Sequence, residues 1–245
     1  MKKNILLLIC SLSISLTFSQ ISISSKHEGG VRKVKDDIYN RFKSTETIFI
    51  LSNIYDKEVY KNILKDSWTI TPYKVINVNE FSIDKYLDNK YSFVILKGLD
   101  VFVQRTSVTA NYLYFNIDIL MYKNEKLKPK LKKLRAKKKV NKGDINKALF
   151  NYSIDIARSY IFPKDSFCMS VIGGRIEDNE KALYNDDIFQ NYKPGYLKNY
   201  FQKINNVLED NDSYWMYESD NTKEIQNLPT KTLYIPEYIS IKFNP

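Results

Sequence analysis

Most enzyme chemistry needs a nucleophile or a proton shuttle, and this chain of 245 residues offers one His and two Cys. A Ser-His-Asp triad, a Cys-His pair or an HExxH zinc site would each have to be built on His27. That residue lies in a polar stretch, QISISSKHEGG, which reads as a linker over residues 20–30. Neither GxxxxGK[ST] nor GxGxxG occurs, so phosphate-cradling loops have no support. Gly173-Gly174-Arg175 could shape a small anion nest, but a lone Gly pair reads first as an ordinary turn. Cys168, between Phe167 and Met169, reads as a small buried hydrophobe. What remains is carboxylate chemistry. Glycoside hydrolysis needs only two Asp or Glu about 5–9 Å apart, one with a raised pKa. Glu177 to Asp187, EDNEKALYNDD, is rich in carboxylates and reads as a solvated acidic loop. It lacks the ligand spacing of an EF-hand. No catalytic residue is singled out, and no metal or cofactor is expected.

Cations are concentrated in one place. The chain has 38 Lys+Arg against 28 Asp+Glu, net +10. Residues 123–142, KNEKLKPKLKKLRAKKKVNK, hold eleven basic side chains and one acidic, Glu125. The high pI therefore belongs to one segment. Burying unpaired ammonium groups costs several kcal/mol each, so the segment must be exposed. The residues expected to meet a polyanion are Lys128, Lys130, Lys132, Lys133, Arg135, Lys137, Lys138 and Lys139. Nearly all are Lys, a point charge suited to diffuse attraction more than to shaped phosphate recognition. Leu127, Leu131 and Leu134 recur at i, i+4 and i+7, so a short amphipathic turn lying on an anionic surface is one reading. A solvated, self-repelling hairpin tip is the other.

The first 19 residues read as an address. Lys2 and Lys3 precede ILLLICSLSISLTF, and Thr17 and Ser19 stand three and one positions before a cut after Ser19. The apolar run is shorter than the ~20 residues of a membrane span. Ile9 before Cys10 argues against a lipid anchor. Export is expected, to the periplasm or beyond, with no transmembrane segment in the mature chain and Cys168 as its one thiol. Anionic partners there include lipopolysaccharide, lipid headgroups, acidic polysaccharide and extracellular DNA, with nucleic acid the less favoured.

Composition is that of a globular protein, 43% hydrophobic and 27% charged. Val34, Ile38 and Phe42 suit a short helix, Thr47–Leu51 a buried strand, and Val59, Tyr60, Ile63 and Leu64 a helix capped by Asp56. Tyr73–Val78 and Tyr91–Leu96 read as strands around a short helix capped by Ser82. Leu113 to Met121 alternates with period two. So does Phe150 to Ile156, though a helix from Asp144 to Tyr160 rivals that strand. The two strands would pair as an antiparallel hairpin that holds the basic segment out from the body. Tyr196 to Leu208 shows a wide helical stripe after Pro194-Gly195. Thr232–Ile235 and Tyr238–Phe243 read as closing strands. Tyr112, Tyr114, Tyr214, Trp215 and Tyr217 are the aromatics expected nearest a surface. The fold class is α/β, with α+β as the alternative: a mixed sheet with helices packed on it, in a single domain from 31 to 245 interrupted by a basic loop at 123–142.

The β-α-β-α-β order of residues 45–122, with IFIL, YKVINV and YSFVIL as strands, resembles the curli-secretion and penicillin-binding-protein-activator lipoproteins and the TolB N-terminal domain. GYLKNYFQKINN and TLYIPEYISIKFN resemble uncharacterised secreted proteins of Bacteroidetes, as does the Lys/Asn/Ile/Tyr-rich usage. The first resemblance implies a non-enzymatic envelope module that binds other proteins. The chain departs from it in lacking a lipid-anchored Cys and in carrying the basic insertion. The expected function is an exported binding module of the envelope. A carboxylate-dependent glycan hydrolase and an extracellular nucleic-acid binder are the alternatives.

Overall fold

The apolar run Thr47–Leu51 is buried at every position because its strand lies inside a sheet covered on both faces. The computed structural model describes residues 21–25, 27, 32–105, 108–171 and 176–215. Its strands are β1 (Ile21–Ile23), β2 (Glu46–Leu51), β3 (Tyr73–Asn77), β4 (Tyr91–Arg105), β5 (Val108–Tyr122), β6 (Ser153–Ile161) and β7 (Tyr214–Trp215). They form one mixed sheet in the order β3-β2-β4-β5-β6-β1-β7. The helices are α1 (Asp36–Lys43), α2 (Lys57–Lys65), α3 (Ile83–Tyr86), α4 (Asn124–Arg135), α5 (Lys142–Asn151), α6 (Asp165–Val171), α7 (Ile176–Asn185) and α8 (Pro194–Glu209). The class is α/β, as expected.

The chain begins its sheet in parallel and finishes it antiparallel. Phe49 of β2 stands opposite Val75 of β3 and Val94 of β4, both parallel. β4 and β5 then pair as a long hairpin, from Phe93↔Leu120 to Arg105↔Val108. β6 runs antiparallel to β5, with a register shift at Ile119/Leu120.

Each face has its own core. On one, Phe49 meets Trp68 edge to face at 5.2 Å and Phe201 of α8 at 5.4 Å. Leu197, Phe201, Ile204 and Leu208 of α8 are fully buried there. Asn211 ends that helix at φ 56°, and Asp212 N donates back to Val207 O. On the other face, Ile48, Ile50, Phe93 and Leu120 share a cluster with Leu127, Leu131, Leu134 and Ala148 of α4 and α5. A buried hydroxyl chain closes the start of the parallel strands. Thr47 Oγ1 lies 2.6 Å from Thr71 Oγ1 and 2.8 Å from Ser92 Oγ, and Trp68 Nε1 donates to Thr71 Oγ1 at 2.8 Å.

Several expectations are corrected. Residues 21–23 are not linker. Ile21 and Ile23 are fully buried in β1, which pairs with β6 (Ile21↔Ser159) and β7 (Ser22↔Trp215). The Ile-Ser-Ile-Ser alternation is a strand signal that its shortness concealed. The segment from Phe150 to Ile156 is not one strand. Helix α5 runs through Asn151, and β6 starts at Ser153. Asn141 caps α5 by accepting from Gly143 N at 2.8 Å, and Ala148 turns inward. Phe150 is consequently 71% exposed. The basic segment is not a loop, since most of it is helix α4. The acidic segment from Glu177 is not a loop either, because α7 runs to Asn185. The 19-residue leader, Gly173-Gly174-Arg175 and the two closing strands lie outside the described residues.

Candidate functional site

Helix α4 shows why a run of lysines can be held in place. Leu127, Leu131 and Leu134 are 0%, 1% and 6% exposed and belong to the second core. The preceding residue is fixed by backbone, Lys123 N donating to Tyr152 O at 2.9 Å. Arg41 Nη2 reaches both Tyr122 O and Asn89 Oδ1 at 2.9 Å, and Asn124 Nδ2 donates to Asn89 Oδ1 at 3.1 Å. Pro129 sits inside the helix but on its exposed side, so the missing N–H bond lies toward water. At about 100° per residue, the three leucines claim one narrow arc. Lys126, Lys128, Lys130, Lys132, Lys133 and Arg135 spread over the remaining ~220°.

Of the eight cations singled out from the sequence, two are spoken for. Arg135 pairs with Asp84 of α3, and Lys137 lies 3.4 Å from Asp144. Lys128, Lys130, Lys132, Lys133, Lys138 and Lys139 are exposed and form no ion pair among the described residues. The expected arrangement, a tip held away from the body, is overturned. The leucines are used by the core, so they are not available to lie on a membrane. What α4 presents outward is charge on a fixed frame.

A second charged group, which the sequence did not announce, lies on the same side of the sheet nearer β1. Asp118 of β5 stands directly across from Arg158 of β6 and is 3% exposed. Arg158 donates to it twice, Nε at 2.7 Å and Nη2 at 3.1 Å, and Lys97 Nζ lies at 3.2 Å. Burial alone would push the Asp118 carboxyl up; Lys97 and Arg158 outweigh it and hold it below the ordinary range. Asp155 is pushed the other way, by burial first and then by the charge of Asp118. His27 is 8% exposed, with Nδ1 3.0 Å from Ser22 Oγ and Tyr160 Oη donating to its backbone carbonyl at 3.2 Å. Its Nε2 is buried with no hydrogen-bond partner among the described residues. Burial, helped by Arg158, lowers its pKa to about 4. Placing His27 in a linker is thus corrected, since it is an interior residue.

Two carboxyls with diverging proton affinities resemble an acid–base pair. Here, however, three donor contacts occupy Asp118. The group behaves as an ionic rivet joining β4, β5 and β6.

Doubly wound sheets bind ligands outside the carboxyl ends of their parallel strands. In this fold three tyrosines cluster just past the carboxyl end of β2. Tyr192 Oη reaches Ser52 N at 3.1 Å and Tyr60 Oη at 3.3 Å, Tyr60 Oη donates to Ser52 O at 2.6 Å, and Tyr55 stacks on Tyr192. A depression of about 300 Å³ sits at the opposite end, lined by Ser44, Thr45, Glu46, Pro72, Lys90 and Tyr91. Glu46 is the one carboxylate in that lining.

The remaining expectations resolve individually. Cys168 is half-buried in α6, so it is more open than its apolar neighbours suggested. Asp187 pairs with Lys164 at 2.7 Å, and Leu183 of α7 is buried. Tyr114 is 48% exposed, Trp215 is half-buried, and Tyr214 is buried beneath Lys203 Nζ at 4.6 Å. The side chains of Tyr112 and Tyr217 lie outside the described residues. Among those residues, no group of His, Cys, Asp and Glu is placed to hold a metal ion. No helix there is long and apolar enough to cross a membrane. Compared with known proteins, the chain matches no family model, no curated protein and no solved structure.

Proposed function

We propose that the protein is a non-enzymatic binding module of the cell envelope that holds an anionic surface through α4 and the lysines that follow it. The observation that carries this reading is the set of six exposed lysines at 128, 130, 132, 133, 138 and 139, which form no ion pair among the described residues and of which four stand on a helix bolted to the core. The twelve basic and two acidic residues of 123–151 leave 26 of each sign elsewhere, so this hairpin accounts for the whole net charge of +10. A cationic array already ordered by its leucines loses less conformational entropy on binding than a flexible tail. Each lysine near an anionic surface contributes about 1 kcal/mol at low salt. Export, the expectation drawn from the leader, is consistent with that compartment. The glycan-hydrolase alternative is weaker because Asp118, one of the two neighbouring carboxyls whose proton affinities diverge, is held by Arg158 and Lys97.

The test is elution of the full chain from heparin across a salt series, beside a variant with all six lysines changed to Gln. The parent should elute at clearly higher salt. On duplex DNA the log–log salt slope should be shallower in the variant, by about 0.9 for each phosphate it no longer neutralises. Co-elution of the two proteins would remove the proposal.

A further inference from the structure

The hairpin of α4 and α5 carries exposed apolar groups as well as charge. Phe150 is 71% exposed and Val140 is 46% exposed. Ala148 marks the inward face of α5 at 2% exposure, and two residues on, about 200° around the helix, Phe150 points away from the sheet. Its outer-face neighbours one turn back are Asn146 and Lys147, neither of which offers it apolar cover. The backbone bond from Lys123 N to Tyr152 O sets the end of α5 beside the start of α4. Phe150 therefore stands at one end of the lysine array. Val140 follows Lys137, Lys138 and Lys139 beyond the other end of α4, whose 12 residues span about 18 Å.

We infer that this hairpin docks on an anionic phospholipid bilayer, with lysines at the headgroup phosphates and Phe150 and Val140 entering the interface. The inference rests on the polyanion reading above and narrows it to one partner. A hydrated polysaccharide or a DNA duplex would leave the two apolar groups in water, whereas a bilayer surface takes both signals at once. Stable attachment to a membrane surface ordinarily needs two such signals. The buried leucines of α4 cannot supply the apolar one, and Phe150 can.

Sedimentation of the full chain with vesicles of phosphatidylcholine alone, and with about one-third phosphatidylglycerol, tests this, with heparin elution run in parallel. The parent should bind the anionic vesicles and not the neutral ones. Phe150→Ser should weaken vesicle binding about tenfold and leave heparin elution unchanged. Phe150→Trp should be quenched by bromine-labelled lipid above the background of the parent tryptophans. Equal vesicle binding by parent and Phe150→Ser, without that quenching, would overturn the bilayer inference while the polyanion reading stands. So would tighter binding to duplex DNA than to anionic vesicles. Loss of all heparin and vesicle retention at low salt would overturn both.

Discussion

His27 offers Nδ1 to Ser22 and keeps Nε2 in the dry interior beside Arg158. An imidazole so placed resists its proton. With a pKa of about 4 when folded and 6.5 when unfolded, it lets the unfolded chain bind a proton that the native chain refuses. Stability must then fall as pH drops from 7 to 5, by about 2 kcal/mol from this residue. Asp155, held above its ordinary value, acts in the opposite sense, so the parent should be compared with His27→Gln. Urea midpoints at pH 7 and pH 5 should separate in the parent and draw together in the variant; an equal separation in both would contradict the assignment. Since the chain has one His, no other imidazole confuses the reading. None of this was legible in the sequence. Asp118 showed as a polar position of a period-two strand, and such a position reads as facing water. Only the β5–β6 register sets it against Arg158, and only β1 brings His27 beside them.

At the scale of elements, α4 was half legible. The spacing of Leu127, Leu131 and Leu134 announced one apolar face, but the sheet surface that receives it is assembled from β2, β4 and β5, distant in sequence. Lysine density argued for a loop, and the leucines prevailed because they join a core already containing Ile48, Ile50 and Phe93. Leu131→Ala should therefore lower global stability by about 3 kcal/mol, a core-cavity cost, measured by urea unfolding. A loss under about 1 kcal/mol would mean that α4 is not docked. The parallel strands β2, β3 and β4 were legible because apolar runs and amphipathic helices alternate cleanly there. In the sequence the end of α5 and the start of β6 read as one strand because Phe150, Tyr152 and Ile154 satisfy alternation across a helix end, and the cap at Asn141 lies nine residues upstream of Phe150.

At the scale of the molecule, charge is segregated in a way that composition alone hides. Outside residues 123–151 the chain is balanced, and inside them positive side chains crowd one another. Changing the six free-standing lysines to Gln takes the net charge from +10 to +4 and should raise the melting temperature at low ionic strength, because the neutralised charges repelled like neighbours. Added salt should stabilise the parent more than the variant, since screening does for the parent what mutation has done already. Parallel salt responses would show that the array carries no strain of its own.

β1 gives this sheet an awkward order of assembly. It comes early in the chain, yet Ile21 pairs with Ser159 and Ser22 with Trp215, 138 and 193 positions further along. A polypeptide emerging from its N-terminus holds these two isoleucines without a strand to join until β6 has been made. The seam between β6 and β7 is therefore the last to close, and until then β6 presents an open edge beside β5. An unpaired edge of that kind is open to a strand from another copy for as long as β1 has not closed it.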